Sequence, residues 1–283
     1  MEIQEDDMIF DPEKIYWQAH RGGGGYEAPD NTLFAIKYGW SLGGIPEVDI
    51  RMTSDKKIIC LHDNTLARTT DAPPEIAELP VKFVDFSTLR QYDAGKKFSM
   101  VNAGEKVPLL SEVFELVHDD PGKMLYADVK NYDPELFPVL LSEFRKLIEK
   151  YDVASQVIVA SGYYDFICRI KDDIPDVKVM MWIGDTPEKR METFRMLAAE
   201  DFAKLDIVQL HLYPLENPSD EWMYDLPLEE LAFAVDTLKS RLEVFPVGDF
   251  TLEAIKELLG LQIRRYTTDE PSRFCEILKV SGH

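Results

Sequence analysis

At 283 residues the chain can bury a large core, and one α/β barrel of ordinary size would use all of it. Its 45% hydrophobic and 29% charged residues are those of an ordinary globular protein. A formal net charge of −21 argues against a nucleic-acid backbone or an anionic membrane as partner. Cys60, Cys168 and Cys275 are too few and too scattered for a disulfide framework or a zinc motif. No run of apolar residues is long enough for a transmembrane helix. Met1 to Asp7 is acidic and lacks the basic and apolar regions of a signal peptide. The sequence as it stands therefore reads as cytoplasmic, or as periplasmic or secreted if a leader has been removed.

Ile15 to His20 reads as a first strand, and Gly22 to Gly25 as a flexible turn at its C-terminal end that gives a ligand close backbone access. No Gly-Lys-Ser/Thr follows and the dinucleotide spacing is absent, so the turn is not a nucleotide phosphate loop. Asp30 to Leu42 has helical periodicity, with Asp30 or Asn31 as its cap and Gly43-Gly44 as its end. Glu47 to Met52 is the second strand. Ile58 to His62 follows it too closely for a crossover helix, so the spacing predicts a hairpin that returns His62 towards Glu47. Asp71 to Glu105, with Pro73, Pro74 and Pro80, reads as an insertion before a helix opened at Pro108.

Further strands are expected at Met124 to Val129, Val157 to Ala160, Val177 to Ile183, Ile207 to Leu212, Leu242 to Val247 and Ile263 to Thr268. Helices are expected at Pro134 to Lys150, Pro187 to Ala203, Glu229 to Ser240 and Leu252 to Leu259. With the first two strands this alternation predicts a single (β/α)₈ barrel over residues 1–283, its core at about 15–275, with the hairpin and the 71–105 insertion after strand two. In such barrels the active site lies at the strands' C-terminal ends.

His20 and His62 each end an apolar β-like run. Between them Glu47 and Asp49 stand two apart, and in an extended strand such residues face the same way with Cα atoms roughly 6.5 Å apart. Both carboxylates could converge on one cation with two imidazoles beside it, a set suited to metal-assisted acid–base chemistry on a phosphate ester. A phosphodiester needs one group to deprotonate the attacking oxygen and another to protonate the leaving alkoxide. Imidazoles with a pKa near 6.5 can do each at neutral pH. Asp128-Val129-Lys130 repeats the spacing and puts a carboxylate and an ammonium on one face. His118 and His283 lack such a context, and His211 on its strand is a candidate for pocket lining. Met180, Met181, Trp182, Tyr163, Tyr164 and Tyr213 are candidates to line a substrate pocket, with core packing the favoured role for most of them.

The chain carries five motifs in order: His20-Arg21-Gly22, Pro29-Asp30-Asn31-Thr32, Glu47-Val48-Asp49, His62-Asp63 and Arg68-Thr69-Thr70. The set resembles the glycerophosphodiester phosphodiesterase family, whose signature runs His-Arg-Gly, Pro-Glu-Asn-Thr, Glu-x-Asp, His-Asp and Arg-Thr-Thr. Thr268-Asp269-Glu270-Pro271 resembles the family's closing Thr-Asp-x-Pro, and is read here as a barrel-closing strand and cap. The resemblance implies a (β/α)₈ barrel that hydrolyses small-molecule glycerophosphodiesters to sn-glycerol 3-phosphate and an alcohol, without nucleic acid and without stable membrane insertion. It implies Glu47, Asp49 and Asp128 as ligands of Mg²⁺ or Ca²⁺, His20 and His62 as a jointly assigned acid–base pair, and Arg21 with Lys130 on the phosphate. In that family a neighbouring glycerol hydroxyl is thought to attack first, giving a cyclic phosphate that water opens.

Three departures keep rivals open. Asp30 replaces the motif's Glu, Asp128 stands where the family usually has Glu, and the Glu243 to Val247 strand lacks the usual tryptophan-threonine pair. The related sphingomyelinases D also carry Asp at the Asp128 place, so one rival is a phospholipase D-like barrel acting on sphingomyelin or lysophospholipid. The other is a barrel that binds a phosphodiester without turnover.

Overall fold

The structure is a computed structural model and describes residues 11, 13–130, 133–216, 222–248 and 250–282; Met1 to Asp7 and His283 lie outside the described residues. Nine strands form one sheet: β1 (Tyr16–Ala19), β2 (Ile45–Met52), β3 (Ile58–Cys60), β4 (Leu125–Val129), β5 (Val157–Ser161), β6 (Lys178–Ile183), β7 (Ile207–Leu212), β8 (Leu242–Pro246) and β9 (Arg265–Thr268). Eight of them pair in parallel in the ring order β1-β9-β8-β7-β6-β5-β4-β2, and the additional β1–β2 pairing closes it. β3 lies outside the ring as the antiparallel half of a hairpin, with Ile50 opposite Cys60 and Met52 opposite Ile58. The expected barrel and hairpin are both present.

The helices are α1 (Gly24–Glu27), α2 (Leu33–Ser41), α3 (Pro74–Ala77), α4 (Phe86–Leu89), α5 (Leu110–His118), α6 (Phe137–Tyr151), α7 (Tyr164–Asp173), α8 (Pro187–Ala199), α9 (Leu228–Leu238), α10 (Leu252–Gly260) and α11 (Pro271–Val280), the longer of them coating the ring and α3 and α4 lying in the insertion. Ring strands such as β2 and β5 are buried along their whole length, as parallel strands sandwiched between a packed barrel interior and a helical coat must be. The main core joins the outward faces of the ring strands to helix residues such as Phe114, Phe144, Phe166, Phe194 and Phe274.

Four segments differ from the sequence reading. α2 is capped by Thr32, whose hydroxyl oxygen accepts from the Ala35 backbone N–H at 3.2 Å, and not by Asp30 or Asn31. The Gly22 to Gly25 stretch is not merely a turn, since it passes into the single helical turn α1. α7 was not expected, because its buried stripe is only Phe166, Ile167 and Ile170 within a polar segment. α11 follows directly on β9, where only a strand and cap were expected; Pro271 starts it, at a position where the missing N–H costs nothing.

The 71–105 insertion has its own small core, in which Val81, Val84, Leu89 and Ala94 pack with Leu66, Val107 and the hairpin residues Ile59 and Leu61. Arg90 ties it to α5 by donating from both terminal nitrogens to Glu112 at 2.7 Å. Glu112 in turn accepts from the Leu109 backbone N–H at 2.8 Å, which steadies the N-terminus of α5. The insertion is thereby anchored beside the hairpin that ends at His62.

Candidate active site

The mouth of the barrel, at the strands' C-terminal ends, holds a cavity of about 210 Å³. His20, Arg21, Glu47, His62, Asp128 and Lys130 all line it, and Asp49 is buried behind them. The seven residues named from the sequence as acid–base pair, cation ligands and phosphate contacts are therefore brought to one place. The two-residue spacing on β2 turns Glu47 and Asp49 to one face, and the β2–β4 register sets Asp49 opposite Asp128. One oxygen from each of Glu47, Asp49 and Asp128 lies within 4.8 Å of the others, and all three residues are buried.

Lys130 reaches back into this cluster, with its ammonium 2.6 Å from Asp128 Oδ2 and 3.0 Å from Asp49 Oδ1. Asn31, in a left-handed conformation at φ 58°, braces Asp49 twice at 2.7 Å: its side-chain amide donates to Oδ2 and its carbonyl accepts from the backbone N–H. Trp182 donates its indole N–H to Asp128 at 3.2 Å. The Arg21 backbone N–H donates to Glu47 at 2.6 Å, while its guanidinium pairs with Asp30 at 3.1 Å. Asp30 is shared with Arg68 at 2.7 Å, and Arg68 also holds Asp63 at 2.6 Å.

Three buried carboxylates against one ammonium leave an excess of negative charge that burial makes costly. Burial and the neighbouring Asp49 push the Glu47 carboxyl well above the ordinary carboxylate range. Burial would raise Asp49 as well, but Lys130 and the two histidines outweigh it and hold that carboxyl well below. One oxygen of Glu47 accepts no hydrogen bond in spite of full burial. Oxygen-only donors, surplus negative charge and unused lone pairs are what a hard divalent cation would satisfy, so the residues present fit such an ion.

Both histidines are held by carboxylates through Nδ1. His20 Nδ1 is 2.6 Å from Asp269 Oδ1, and His62 Nδ1 is 2.7 Å from Asp63 Oδ1. A carboxylate at that distance accepts from Nδ1–H, which fixes the tautomer and leaves Nε2 without the hydrogen. Burial depresses the His62 pKa, with Asp49 and Asp63 opposing. Burial would raise Asp269, but its bond and charge contact with His20 bring the carboxyl below its usual range. The backbone carbonyl of His62 is gripped by the Arg51 guanidinium, with Nε at 2.8 Å. Phe245 meets the His20 ring edge-on at a centroid distance of 5.0 Å.

Asp269, Arg51 and Trp182 are site residues that sequence reasoning did not assign. The closing Thr-Asp-x-Pro motif was the signal for Asp269, which is more than a strand and cap. Arg51 lies two residues past Asp49 on a buried strand, which is the signal it gave. His211 does line the cavity, with Met180, Trp182 and Tyr213 beside it, whereas Met181 belongs to the outer core and Tyr163 and Tyr164 lie away from the cavity. Where the tryptophan-threonine pair is missing, Phe245 and Val247 form the wall, and Trp182 faces the cavity from β6.

The sequence profile of the glycerophosphoryl diester phosphodiesterase family matches residues 20–220. The glycerophosphodiester phosphodiesterase of Caldanaerobacter subterraneus subsp. tengcongensis is 33% identical over 163 residues, which cover 57% of this chain and 63% of that protein. The match therefore spans less than two thirds of that relative. A Bacillus subtilis glycerophosphodiester phosphodiesterase is 25% identical over 245 residues, covering 75% of this chain and 80% of its own. Among solved structures, an Oleispira antarctica phosphodiesterase in complex with the product sn-glycerol-3-phosphate superposes with a TM-score of 0.72 at 18% identity, over 93% of this chain and 96% of that one. A glycerophosphodiester phosphodiesterase from Agrobacterium tumefaciens gives 0.68 at 19% identity, over 93% and 99%. At these identities the structural matches establish the shared barrel.

Proposed function

Because the chain belongs to the glycerophosphoryl diester phosphodiesterase family, we propose that it hydrolyses glycerophosphodiesters to sn-glycerol 3-phosphate and an alcohol. The observation that carries the reading is the joint placement, at one cavity, of three buried carboxylates and two carboxylate-held histidines. Glu47, Asp49 and Asp128 would hold Mg²⁺ or Ca²⁺, which when bound supplies positive charge for the phosphate oxygens. Arg21, at the cavity wall beside Glu47, contributes a fixed cationic fork, and Lys130 neutralises the acidic cluster from within. One histidine takes the proton of the attacking oxygen on Nε2, and the other gives its Nε2 proton to the departing alkoxide. Asp269 and Asp63 stabilise whichever imidazolium forms.

The test is release of sn-glycerol 3-phosphate from a panel of glycerophosphodiesters with Mg²⁺, with Ca²⁺ and with EDTA, beside a His62→Ala control. Product that depends on the metal and falls by about 10²–10⁴-fold in the variant is the expected result. Absence of product from every diester with either ion would overturn the reading.

A second reading is favoured by one surface. Met100 and Val101, at the tip of the insertion, are 70% and 93% exposed and follow Lys96-Lys97-Phe98. An apolar tip flanked by lysines suits a micellar lipid diester such as lysophosphatidylcholine. Turnover of that substrate but not of glycerophosphocholine would select it. Among the described residues no helix is long and apolar enough to cross a membrane.

A further inference from the structure

Beneath the cavity runs a chain of buried polar groups that the acid–base mechanism does not use. Glu243 on β8, almost fully buried, accepts at Oε1 from Gln209 Nε2 at 2.7 Å and from the Thr267 hydroxyl at 2.8 Å. Its Oε2 accepts from the Tyr126 hydroxyl at 2.8 Å. Because the carboxylate accepts hydrogen bonds from the Gln209 amide nitrogen, that side chain is fixed with its NH₂ towards Glu243 and its carbonyl oxygen towards His211, 3.1 Å from Nε2. A carbonyl cannot donate, so His211 Nε2 carries a hydrogen.

His211 is stacked on Trp182 at 5.5 Å and meets Phe245 edge-on at 5.3 Å, and this burial keeps the ring neutral; with Nε2–H present, Nδ1 is a bare acceptor. The partner of Nδ1 is the Tyr213 hydroxyl at 3.2 Å, which must donate its only hydrogen there. Arg190, itself paired with Asp225, lies 5.2 Å over the Tyr213 ring, and Asp225 accepts from the Tyr213 backbone N–H at 3.1 Å. The phenol is thus held in place at the cavity wall with its hydrogen spent.

We infer that Tyr213 is a specificity residue whose oxygen offers the cavity lone pairs only, and that it accepts a hydrogen bond from a hydroxyl on the organic part of the substrate. Glu243, Gln209 and His211 are positioning residues that set this polarity from below. An acceptor-only oxygen repels the phosphate oxygens and rewards a hydroxylated substituent over an apolar one, so the ligand class is a phosphorylated polyol. The inference rests on the phosphodiesterase reading and deepens it, because glycerol carries such hydroxyls.

Two measurements test it on the full chain loaded with Ca²⁺. In the first, ¹⁵N-histidine spectra report the His211 tautomer. Nε2–H is expected for the wild type, and a shift towards Nδ1–H for Glu243→Gln, which keeps the shape but lets an amide replace the anchoring acceptor. In the second, the affinities of sn-glycerol 3-phosphate and n-propyl phosphate are compared. The wild type is expected to prefer the glycerol ligand by about tenfold, and Tyr213→Phe to lose that preference with propyl phosphate affinity unchanged. An Nδ1–H wild type, a preference retained in Tyr213→Phe, or an equal loss for both ligands overturns the inference even if diesters are cleaved. An Nε2–H wild type that neither binds glycerol 3-phosphate nor cleaves any diester overturns instead the reading on which it rests.

Discussion

An imidazole whose Nδ1–H is held by a carboxylate has one tautomer to offer, and in this site the same device occurs twice, with Asp269 on His20 and Asp63 on His62. Asp269→Asn can present its amide nitrogen to Nδ1, which favours the wrong tautomer. Its kcat on a glycerophosphodiester should fall by about 10²–10⁴-fold while calcium affinity, which rests on carboxylates other than Asp269, stays near the wild-type value. Unchanged kcat would remove Asp269 from the site. His211 yields a pH prediction. Unfolded, an imidazole takes up a proton near pH 6.5. In the fold, burial, with His20 and Arg190 adding to it, pushes His211 down to about 3. The unfolded chain therefore binds more protons between those values, so stability is full above pH 6.5 and is lost as the pH falls through that window. Wild-type Tm should drop more between about pH 7.5 and about pH 5 than that of His211→Gln, and equal drops would contradict the assignment. His20, His62, Glu47 and Asp49 were legible because each sits at a strand end or on a strand face where a two-residue period dictates direction. Asp269 was not assigned to His20, because the two are 249 residues apart and only the closed ring joins them.

The strands were easier to place than the helices between them. Strands fully buried on both faces are continuous apolar runs, as in β5 (Val157–Ser161), whereas α7 shows only a narrow stripe and α1 only a single turn. The α1 turn has a steric role that glycine alone can fill. Gly24 has φ +63°, and a Cβ there would lie 1.9 Å from the Asp269 carbonyl oxygen. Gly24→Ala must therefore move the loop after β1 away from the loop after β9, and with it His20 from Asp269. Activity should fall by at least about tenfold with far-ultraviolet circular dichroism unchanged. A fully active Gly24→Ala would show that these loops can separate without cost to the histidine. The β2–β3 hairpin was readable from loop length alone, since no crossover fits between its strands, and it delivers His62 to the cavity as expected.

Across the whole molecule the net charge of −21 works against compactness, so raising sodium chloride from about 20 mM to about 300 mM should raise Tm by screening self-repulsion. At constant ionic strength, millimolar Ca²⁺ or Mg²⁺ should add a further, saturable rise, as any ligand bound only by the folded state must. Glu47→Gln should abolish that second increment and leave the first. A rise that does not saturate, or that survives in the variant, would point to diffuse counter-ion effects in place of a site. Ring closure has a temporal side as well. β1 (Tyr16–Ala19) shares four paired positions with β9 (Arg265–Thr268) but only two with β2, so the first strand made depends chiefly on the last. On the ribosome, β1 must wait as a partly unpaired edge while the rest of the barrel is synthesised, a state open to pairing with other chains. The His20–Asp269 contact can form only once translation has passed residue 269, so the loop after β1 gains this partner late in the making of the barrel.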